Sequence, residues 1–384
     1  MKDYNGVVLT TPISMGYARQ SPHGAAWFVG SVLREMISAA GLTKKDINGF
    51  SVSSFSLGID SAVALTQHFG LCVRWLEQAN VGGVSGILAL RRAARAVQCG
   101  DADIVACIGG DGAAHRSFEH TAAHFSNWST DAAFPYGAAG PNGPFSLITA
   151  HYMERYQAQR EDFARICLDQ RYNANHFPGA LLGHKKLSLS DYLNARPIAG
   201  PLHLFDCVMP CAGGEGFLVM SEERARQLKL PAVKILAADE CHNAHADDPV
   251  QDRGGWTQYI EGLYNRAAVG PKDVDFLQTY DDYPVISMLQ MEDLGFCGKG
   301  EAPEFVGQTD MRFDGSGPGL NKLPHNTSGG QLSCGQAGAA AGTVHDVPVR
   351  PVAPRAVDAR KPHAPRRALC ARGVLRMNAF EVRG

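Results

Sequence analysis

The segment LPHNTSGGQL (residues 323–332) and the segment NVGGVSG (residues 80–86) share a pattern that decides the fold class. In each, an asparagine is followed by a pair of glycines and then by residues suited to the first turn of a closely packed helix. Paired glycines mark a tight turn, because glycine adopts backbone conformations that other residues avoid. Either segment alone is also compatible with a chance match.

A second pair of similar segments lies upstream of the two glycine pairs. Residues 39–50 (AAGLTKKDINGF) and 267–276 (AAVGPKDVDF) both read as a helix end, a turn, Lys-Asp followed by Ile or Val, and entry into a strand. The interval to the glycine pair is longer in the second copy, so the match is loose. The shared order of the two motifs nevertheless predicts a duplicated α/β unit, with halves at residues 1–225 and 226–384.

The composition is that of a folded globular protein. The chain has 384 residues, of which 45% are hydrophobic and 19% charged, and this excludes a disordered scaffold. Its net charge of -2 leaves no chain-wide basic field for nucleic acid or an anionic membrane. There is no apolar run of about eighteen residues. We therefore expect a cytoplasmic protein without a signal peptide that neither binds nucleic acid nor inserts into a membrane.

The ten cysteines are spread singly along the chain. Cys207 and Cys211 are four residues apart, but no second pair with metal-ligand spacing accompanies them. The pattern predicts reduced thiols and no metal site.

Segments of helical and strand period alternate through the first part of the chain, as in a layered α/β protein. Helices are predicted over 24–40 and 85–98, and strands over 50–55 and 103–108. Residues 131–144 are rich in Gly, Pro and aromatics, which fits a shaped loop over a pocket and an ordinary connector equally well.

The chain ends in a segment of different composition. Residues 343–384 hold nine Lys and Arg against three acidic residues, and five prolines within eighteen residues prevent a continuous helix. The segment fits a basic arm for an acidic partner, or a poorly ordered or altered end, and we favour the second interpretation.

Three motifs together resemble the thiolase superfamily. They are YDDY (residues 280–283), QMEDLGFCGKGE (residues 290–301) and the LPHNTSGGQL segment. The most similar branch contains the sterol-carrier-protein-x-type, lipid-transfer thiolases, and the similarity covers about residues 1–342. The resemblance implies an α/β fold of two duplicated βαβαβαββ halves in a five-layer αβαβα arrangement, an acyl-CoA substrate and usually a dimer.

Each catalytic position of the thiolases was compared with this chain. The motif Asn-x-x-Cys-x-Ser-Gly, which supplies the thiolase nucleophile, places Gly83 at the cysteine, and glycine has no side chain to acylate. The two histidine positions match Tyr280 and Gln336. The late Cys-x-Gly motif is matched only poorly by Cys370-Ala371-Arg372-Gly373.

This pattern of loss resembles the steroid and aryl side-chain aldolases of the same branch. Retro-aldol cleavage of a β-hydroxyacyl-CoA needs a base for the β-hydroxyl, donors for the thioester enolate and an acid for its α-carbon, but no acyl-enzyme. The resemblance makes Tyr280 the base or acid, with its phenol polarised by an adjacent carboxylate or amide. Asp281 is the neighbouring carboxylate among the predicted catalytic residues, and Asn326 is expected to be a further hydrogen-bond donor. The alternative for Asn326 is a turn cap.

The remaining predicted contacts are to the thioester. The backbone N–H groups of Gly82 and Gly83 are expected to hold its oxygen, since a helix N-terminus has unpaired donors, and Gln336 is expected to contact the substrate. Gly82 and Gly83 are equally compatible with a close-packed turn. No metal and no cofactor is expected, because coenzyme A enters as part of the substrate.

Two other functions fit the sequence. One is β-ketoacyl-CoA thiolase or acyltransferase activity through an unrecognised cysteine, and the other is a non-catalytic acyl-CoA- or lipid-binding subunit of a two-protein complex. The resemblance implies a homodimer and, in this branch, a small partner protein of OB fold and zinc ribbon.

Overall fold

The computed structural model describes residues 3–112, 129–138, 140–337, 367–370 and 373–378. The proline-rich part of the tail lies outside the described residues. No helix among the described residues has the length and apolar character needed to cross a membrane.

The first half is built around five strands. They are β1 (Val7–Ser14), β2 (Gly49–Ser53), β3 (Trp75–Gln78), β4 (Ile104–Asp111) and β7 (Gly213–Ser221), and they lie in the order β3-β2-β4-β7-β1. Strands β3, β2 and β4 are mutually parallel, whereas β7 runs antiparallel to both its neighbours.

The second half repeats this order. Its strands are β8 (Ala232–Ala238), β9 (Phe276–Gln278), β12 (Arg367–Cys370) and β13 (Gly373–Asn378), in the order β9-β12-β13-β8. Strand β12 is parallel to β9, and β13 is antiparallel to β12 and β8. A parallel bridge between Leu277 and His325 stands where β3 stands in the first half. The predicted duplication is therefore confirmed.

The two half-sheets join edge to edge into one nine-stranded sheet. Strand β1 pairs antiparallel with β8 through Val8–Lys234, Leu9–Val233 and Thr10–Ala232. Two short two-stranded sheets, β5 (Pro197–Ala199) with β6 (Leu202–His203) and β10 (Thr309–Asp310) with β11 (Asn321–Lys322), lie outside it.

Helices cover both faces of the sheet. Helix α1 (Ala25–Ala39) packs on Ile104, Ala106 and Ile108 of β4, whereas α3 (Ser85–Cys99) packs in the cluster that contains Val105 and Cys107. Alternate residues of a strand point to opposite faces, so this division places the two helices on opposite sides. The other helices are α2 (Ser61–Phe69), α4 (Asn142–Tyr156), α5 (Arg160–Asn175), α6 (Leu189–Leu193), α7 (Glu222–Gln227), α8 (Ile260–Ala267), α9 (Pro284–Asp293), α10 (Ala302–Gln308) and α11 (Gly330–Cys334).

The two similar Lys-Asp segments of the sequence also have similar structures. Both copies form a short 3-10 turn, Lys44–Asp46 in one half and Pro271–Asp273 in the other. In each, the aspartate Oδ2 accepts the backbone N–H three residues earlier at 2.8 Å, from Thr43 or from Gly270. The carboxylate thus satisfies an N–H at the start of the turn before the chain enters β2 or β9.

The expectation of a poorly ordered or altered end is wrong for residues 367–370 and 373–378. These residues form β12 and β13, which fill the sheet between β9 and β8. The prolines that suggested disorder precede the strands. Cys370 is in register with Gln278, so the backbone of the doubtful Cys-x-Gly motif reaches the carboxyl end of β9.

Candidate active site

The predicted catalytic residues lie where β9 ends and the chain turns into α9. This is the carboxyl edge of the parallel strands, where α/β sheets commonly bind their ligands. Tyr280 is half-buried there, and Asp281 and Asp282 are buried.

The Tyr280 hydroxyl donates to Oδ2 of Asp282 at 2.6 Å. Gln336 Nε2 donates to the other carboxylate oxygen at 2.8 Å and lies 3.4 Å from the Tyr280 hydroxyl. Burial raises the pKa of Asp282 to about 7, and the hydrogen bonds from Tyr280 and Gln336 limit the rise. Asp282 can therefore take up or release a proton near neutral pH.

Asp281, the carboxylate predicted to polarise Tyr280, faces another part of the structure. Its Oδ1 accepts the backbone N–H of Gln331 at 3.0 Å, and its Oδ2 accepts that of Leu332 at 3.4 Å. Asp281 thus caps the first turn of α11. The phenol donates to Asp282, which the sequence analysis did not single out.

Gly83 and Tyr280 occupy one space. A Cβ built on Gly83 would lie 2.4 Å from Cε2 of Tyr280 and 2.5 Å from its hydroxyl oxygen, closer than real Cβ contacts occur. Any side chain at position 83 is therefore incompatible with the phenol in its observed place. The tyrosine ring fills the volume in which a side chain at position 83 would begin.

Gly82 and Gly83 begin a 3-10 turn (Gly82–Val84) that leads into α3. Gly82 has φ +74, and the turn is tied by Ser85 Oγ, which accepts the Val81 N–H at 3.1 Å and donates to the Gly82 carbonyl at 2.5 Å. Among the described residues, no acceptor is within hydrogen-bonding distance of the N–H of Gly82 or Gly83. Such N–H groups at the start of a helix attract an oxyanion.

The side-chain carboxamide of Asn326 bonds the backbone of Thr279. Its Oδ1 accepts the Thr279 N–H at 2.9 Å, and its Nδ2 donates to the Thr279 carbonyl at 3.2 Å. The predicted bond from Asn326 to the substrate stays a prediction, since Nδ2 carries a second N–H group.

Sequence reasoning also missed Gln290 on α9. Its Oε1 accepts the Tyr280 N–H at 3.2 Å, and its Nε2 donates to the Tyr280 carbonyl at 2.7 Å and to the Ile286 carbonyl at 3.0 Å. A single glutamine inside the apolar run VISMLQM (residues 285–291) was the available signal.

His325 is buried beside the site and bonds Thr279 Oγ1 through Nε2 at 2.7 Å. Burial lowers its pKa to about 3, so it is neutral at physiological pH. It was not assigned as a base, and the neutral buried ring fits a supporting role.

The GFCGKGE motif has a structural role in this fold. Lys299 Nζ lies 3.2 Å from Glu292 and 3.1 Å from Asp293, Glu292 also accepts the Tyr152 hydroxyl, and Asp293 accepts the Gly254 N–H at 2.6 Å. These bonds tie α4, α9 and the segment before α8 together. Glu292, Asp293 and Lys299 line a cleft of about 740 Å³ at the end of α9 that is far from Tyr280.

Cysteine and metal chemistry have little support in the described part of the chain. Burial raises the pKa of Cys207 and Cys297 to about 12, and it also raises the pKa of Cys107, Cys167 and Cys211. A nucleophilic thiol needs the opposite shift. No group of three or more metal-binding side chains is found among these residues.

Comparison with known families agrees with the fold. A family model described as thiolase C-terminal domain-like matches residues 239–370, which extends past the limit near 342 inferred from the sequence. Residues 239–370 are therefore similar to a thiolase C-terminal domain, in the half of the chain that contains β9 and β12.

Two curated relatives and one solved structure are similar to most of the chain. A steroid side-chain-cleaving aldolase of Thermomonospora curvata is 29% identical over 325 residues, 77% of this chain and 78% of that protein. The 17-hydroxy-3-oxo-4-pregnene-20-carboxyl-CoA lyase of Mycobacterium tuberculosis is 28% identical over 341 residues, 82% of this chain and 84% of that protein. The solved structure of an Ltp2-ChsH2(DUF35) aldolase superposes with a TM-score of 0.73 at 25% identity and covers 85% of each chain.

Proposed function

We propose that this protein is a carbon–carbon lyase that cleaves a β-hydroxyacyl-CoA by retro-aldol chemistry. The observation that carries the proposal is the Tyr280–Asp282 pair, whose phenol fills the space of the missing side chain at position 83. The proposed site combines the ionisable phenol of Tyr280 with the Asp282 carboxyl, which titrates near neutrality. The backbone N–H groups of Gly82 and Gly83 are its hydrogen-bond donors.

The reaction needs only proton transfers. The β-hydroxyl proton passes to the Tyr280 oxygen while the Tyr280 proton passes to the ionised Asp282 carboxylate. The Cα–Cβ bond breaks, the β-carbon becomes a carbonyl, and the bonding electrons form the thioester enolate. The N–H groups of Gly82 and Gly83 hold the enolate oxygen. The proton returns through Tyr280 to the α-carbon, which releases a shortened acyl-CoA and restores the pair.

The proposed substrate is a CoA thioester of a steroid side chain. The names of the two aligned relatives support this class, since one cleaves a steroid side chain and the other is a pregnene-carboxyl-CoA lyase. A terpenoid or an aromatic side chain is a competing acyl group that the same chemistry would serve.

The test is product analysis with β-hydroxyacyl-CoA esters of these three classes. We expect a ketone and a short acyl-CoA from the steroid ester, and a loss of about 10²–10⁴-fold in kcat for Tyr280→Phe. Tyr172→Phe is the matched control, because Tyr172 donates to Asp314 at 2.9 Å in a tyrosine–aspartate pair outside the site. Full activity of Tyr280→Phe would exclude Tyr280 from the mechanism.

A thiolase reaction is the second enzymatic candidate. The raised thiol pKa values described above argue against it, but the backbone of Cys370 reaches the end of β9. Iodoacetamide treatment followed by a thiolysis assay with a β-ketoacyl-CoA separates the two: a single inactivating thiol favours thiolase, whereas retro-aldol activity that survives alkylation favours the lyase.

We also propose a homodimer formed through β3, the edge strand of the sheet. Leu76 on β3 and Val81 just beyond it are 37% and 38% exposed, and Ile59 before α2 and Val63 within α2 add further exposed apolar surface. An unpaired edge with apolar side chains is suited to pairing with a second copy. Sedimentation of Leu76→Lys against the wild-type chain tests this: an unchanged mass would refute pairing at β3.

A small OB-fold/zinc-ribbon partner is a further proposal, supported by the two components of the matched Ltp2-ChsH2(DUF35) aldolase. Coexpression and purification test it. Turnover only with the partner defines a two-protein enzyme, and CoA-ester binding without turnover after reconstitution defines a non-catalytic subunit. We propose a cytoplasmic location, which cell fractionation would check.

A further inference from the structure

Side-chain carboxamides bond the backbone that carries the catalytic phenol. Beyond the end of β9, Thr279 and Tyr280 each have both of their backbone polar groups bonded to a carboxamide. Asn326 Oδ1 accepts the Thr279 N–H at 2.9 Å, and its Nδ2 donates to the Thr279 carbonyl at 3.2 Å. Gln290 Oε1 accepts the Tyr280 N–H at 3.2 Å, and its Nε2 donates to the Tyr280 carbonyl at 2.7 Å.

Both carboxamides are fixed by their surroundings. Gln290 is fully buried and makes a third hydrogen bond to the Ile286 carbonyl of its own helix. Asn326 is 2% exposed and has a left-handed backbone with φ +42, which asparagine tolerates better than most residues. Because a carboxamide carries donors and acceptors side by side, it can replace a strand partner for one residue.

We infer that Gln290 and Asn326 form a carboxamide clamp that aims Tyr280, and that both are positioning residues. This inference rests on the proposed function. The phenol has little freedom, because the backbone of Gly83 closes one side and Asp282 must be met at 2.6 Å on another. A displacement of about 1 Å is enough to reduce a rate about 10²-fold.

The clamp assigns Gln290 a role that burial alone does not. If Gln290 only filled space, an apolar residue of equal length would serve. If it aims Tyr280, losing it weakens the Tyr280–Asp282 hydrogen bond. Since that bond lowers the pKa of Asp282, its loss raises the pKa further. The acidic limb of the rate profile, which reports ionisation of Asp282, then moves to higher pH.

The test compares Gln290→Met and Gln290→Glu with the control Gln170→Met. Gln170 is also buried, but its side-chain amide has no partner among the described residues. We expect kcat to fall about 10–100-fold in Gln290→Met with KM changed less than about twofold, together with the shifted acidic limb. Gln290→Glu should recover part of the rate, because a buried carboxyl is neutral and keeps one donor and one acceptor. Gln170→Met should keep both the rate and the pH profile.

A second readout does not need turnover. In protein labelled with meta-fluorotyrosine, the Tyr280 resonance is identified as the one absent from Tyr280→Phe. We expect that resonance to move or broaden in Gln290→Met and to stay in place in Gln170→Met. An unchanged resonance and an unchanged pH profile in folded Gln290→Met would overturn the clamp. Full activity of Tyr280→Phe would instead overturn the proposed function, and the resonance would still decide the clamp.

Discussion

The glycine turn of the first half and that of the second half occupy corresponding places in the duplicated unit but do different work. The first turn leaves N–H groups available at Gly82 and Gly83 and leaves room for a ring from the other half. The second turn is filled: a Cβ on Gly330 would lie 2.0 Å from Asp281, and one on Gly329 would lie 2.5 Å from Ala174. The first turn accommodates the Tyr280 ring and leaves backbone donors available, whereas the second turn is packed against Asp281 and Ala174.

The largest effect should come from breaking the open turn. In Gly83→Cys the new side chain displaces the Tyr280 ring, which can rotate away, so the fold survives and the Tyr280–Asp282 bond does not. We expect retro-aldol activity to fall about 10³-fold or more, because general acid–base catalysis of this size is lost. Product analysis with both β-hydroxyacyl- and β-ketoacyl-CoA esters checks this. Activity within tenfold of wild type would show that the ring and the side chain coexist.

Breaking the filled turn should affect stability more than chemistry. Gly330→Ala places a methyl group against the Asp281 carboxylate at a residue with φ +59, so both overlap and backbone strain oppose it. We expect a loss of about 3 kcal/mol or more in the free energy of unfolding, measured by urea denaturation. Gly307→Ala in α10 is the control, since its Cβ meets nothing within 4 Å and alanine favours the helix.

Asp282 should make the free energy of unfolding depend on pH. The pKa of Asp282 in the folded state, about 7, lies above its unfolded value, so the stability it contributes is present below about pH 4 and is lost as the pH rises to about 7. His325 acts in the opposite direction, since its lowered pKa makes stability rise with pH from about 3 to about 6.5. The difference between wild type and Asp282→Asn isolates the first contribution.

We expect this difference to change by about 3–4 kcal/mol across that range. Unfolding free energies measured at several pH values provide the check. A difference independent of pH would mean that Asp282 does not titrate near neutrality.

The smallest effect should be at Gly82. Its Cβ would meet nothing within 4 Å, but its φ of +74 disfavours alanine. Gly82→Ala should therefore cost about 1–2 kcal/mol of stability and leave the N–H donor in place. Thermal melting together with the KM for the CoA ester tests this, and a large loss of kcat with unchanged stability would contradict it.

Much of this arrangement was predictable from the sequence. The repeated motifs identified the duplication, Gly83 in the nucleophile frame indicated the missing thiol, and the first histidine position of the thiolases pointed to Tyr280. The choice of Asp281 over Asp282 overlooked a simple rule: in extended backbone, residues i and i+2 lie on one side, so Tyr280 and Asp282 meet while Asp281 faces α11.

Other features could not be read from the sequence. The roles of Gln290 and Asn326 depend on how α9 and the loop before α11 fold back on the end of β9, and no local spacing encodes those distances. The strands at 367–370 and 373–378 were hidden by the prolines before them, because local composition does not report which sheet a short segment will complete.

The position of β12 and β13 gives the molecule an order of assembly. These are the last strands in the chain, yet they lie between β9 and β8, which are made much earlier. During synthesis the first half can complete its five strands by residue 221, whereas β8 and β9 have no common neighbour until about 90 further residues have followed β9. The sheet that leads to Tyr280 is therefore completed late, and a ribosome-bound chain should hold a native first half beside an incomplete second half.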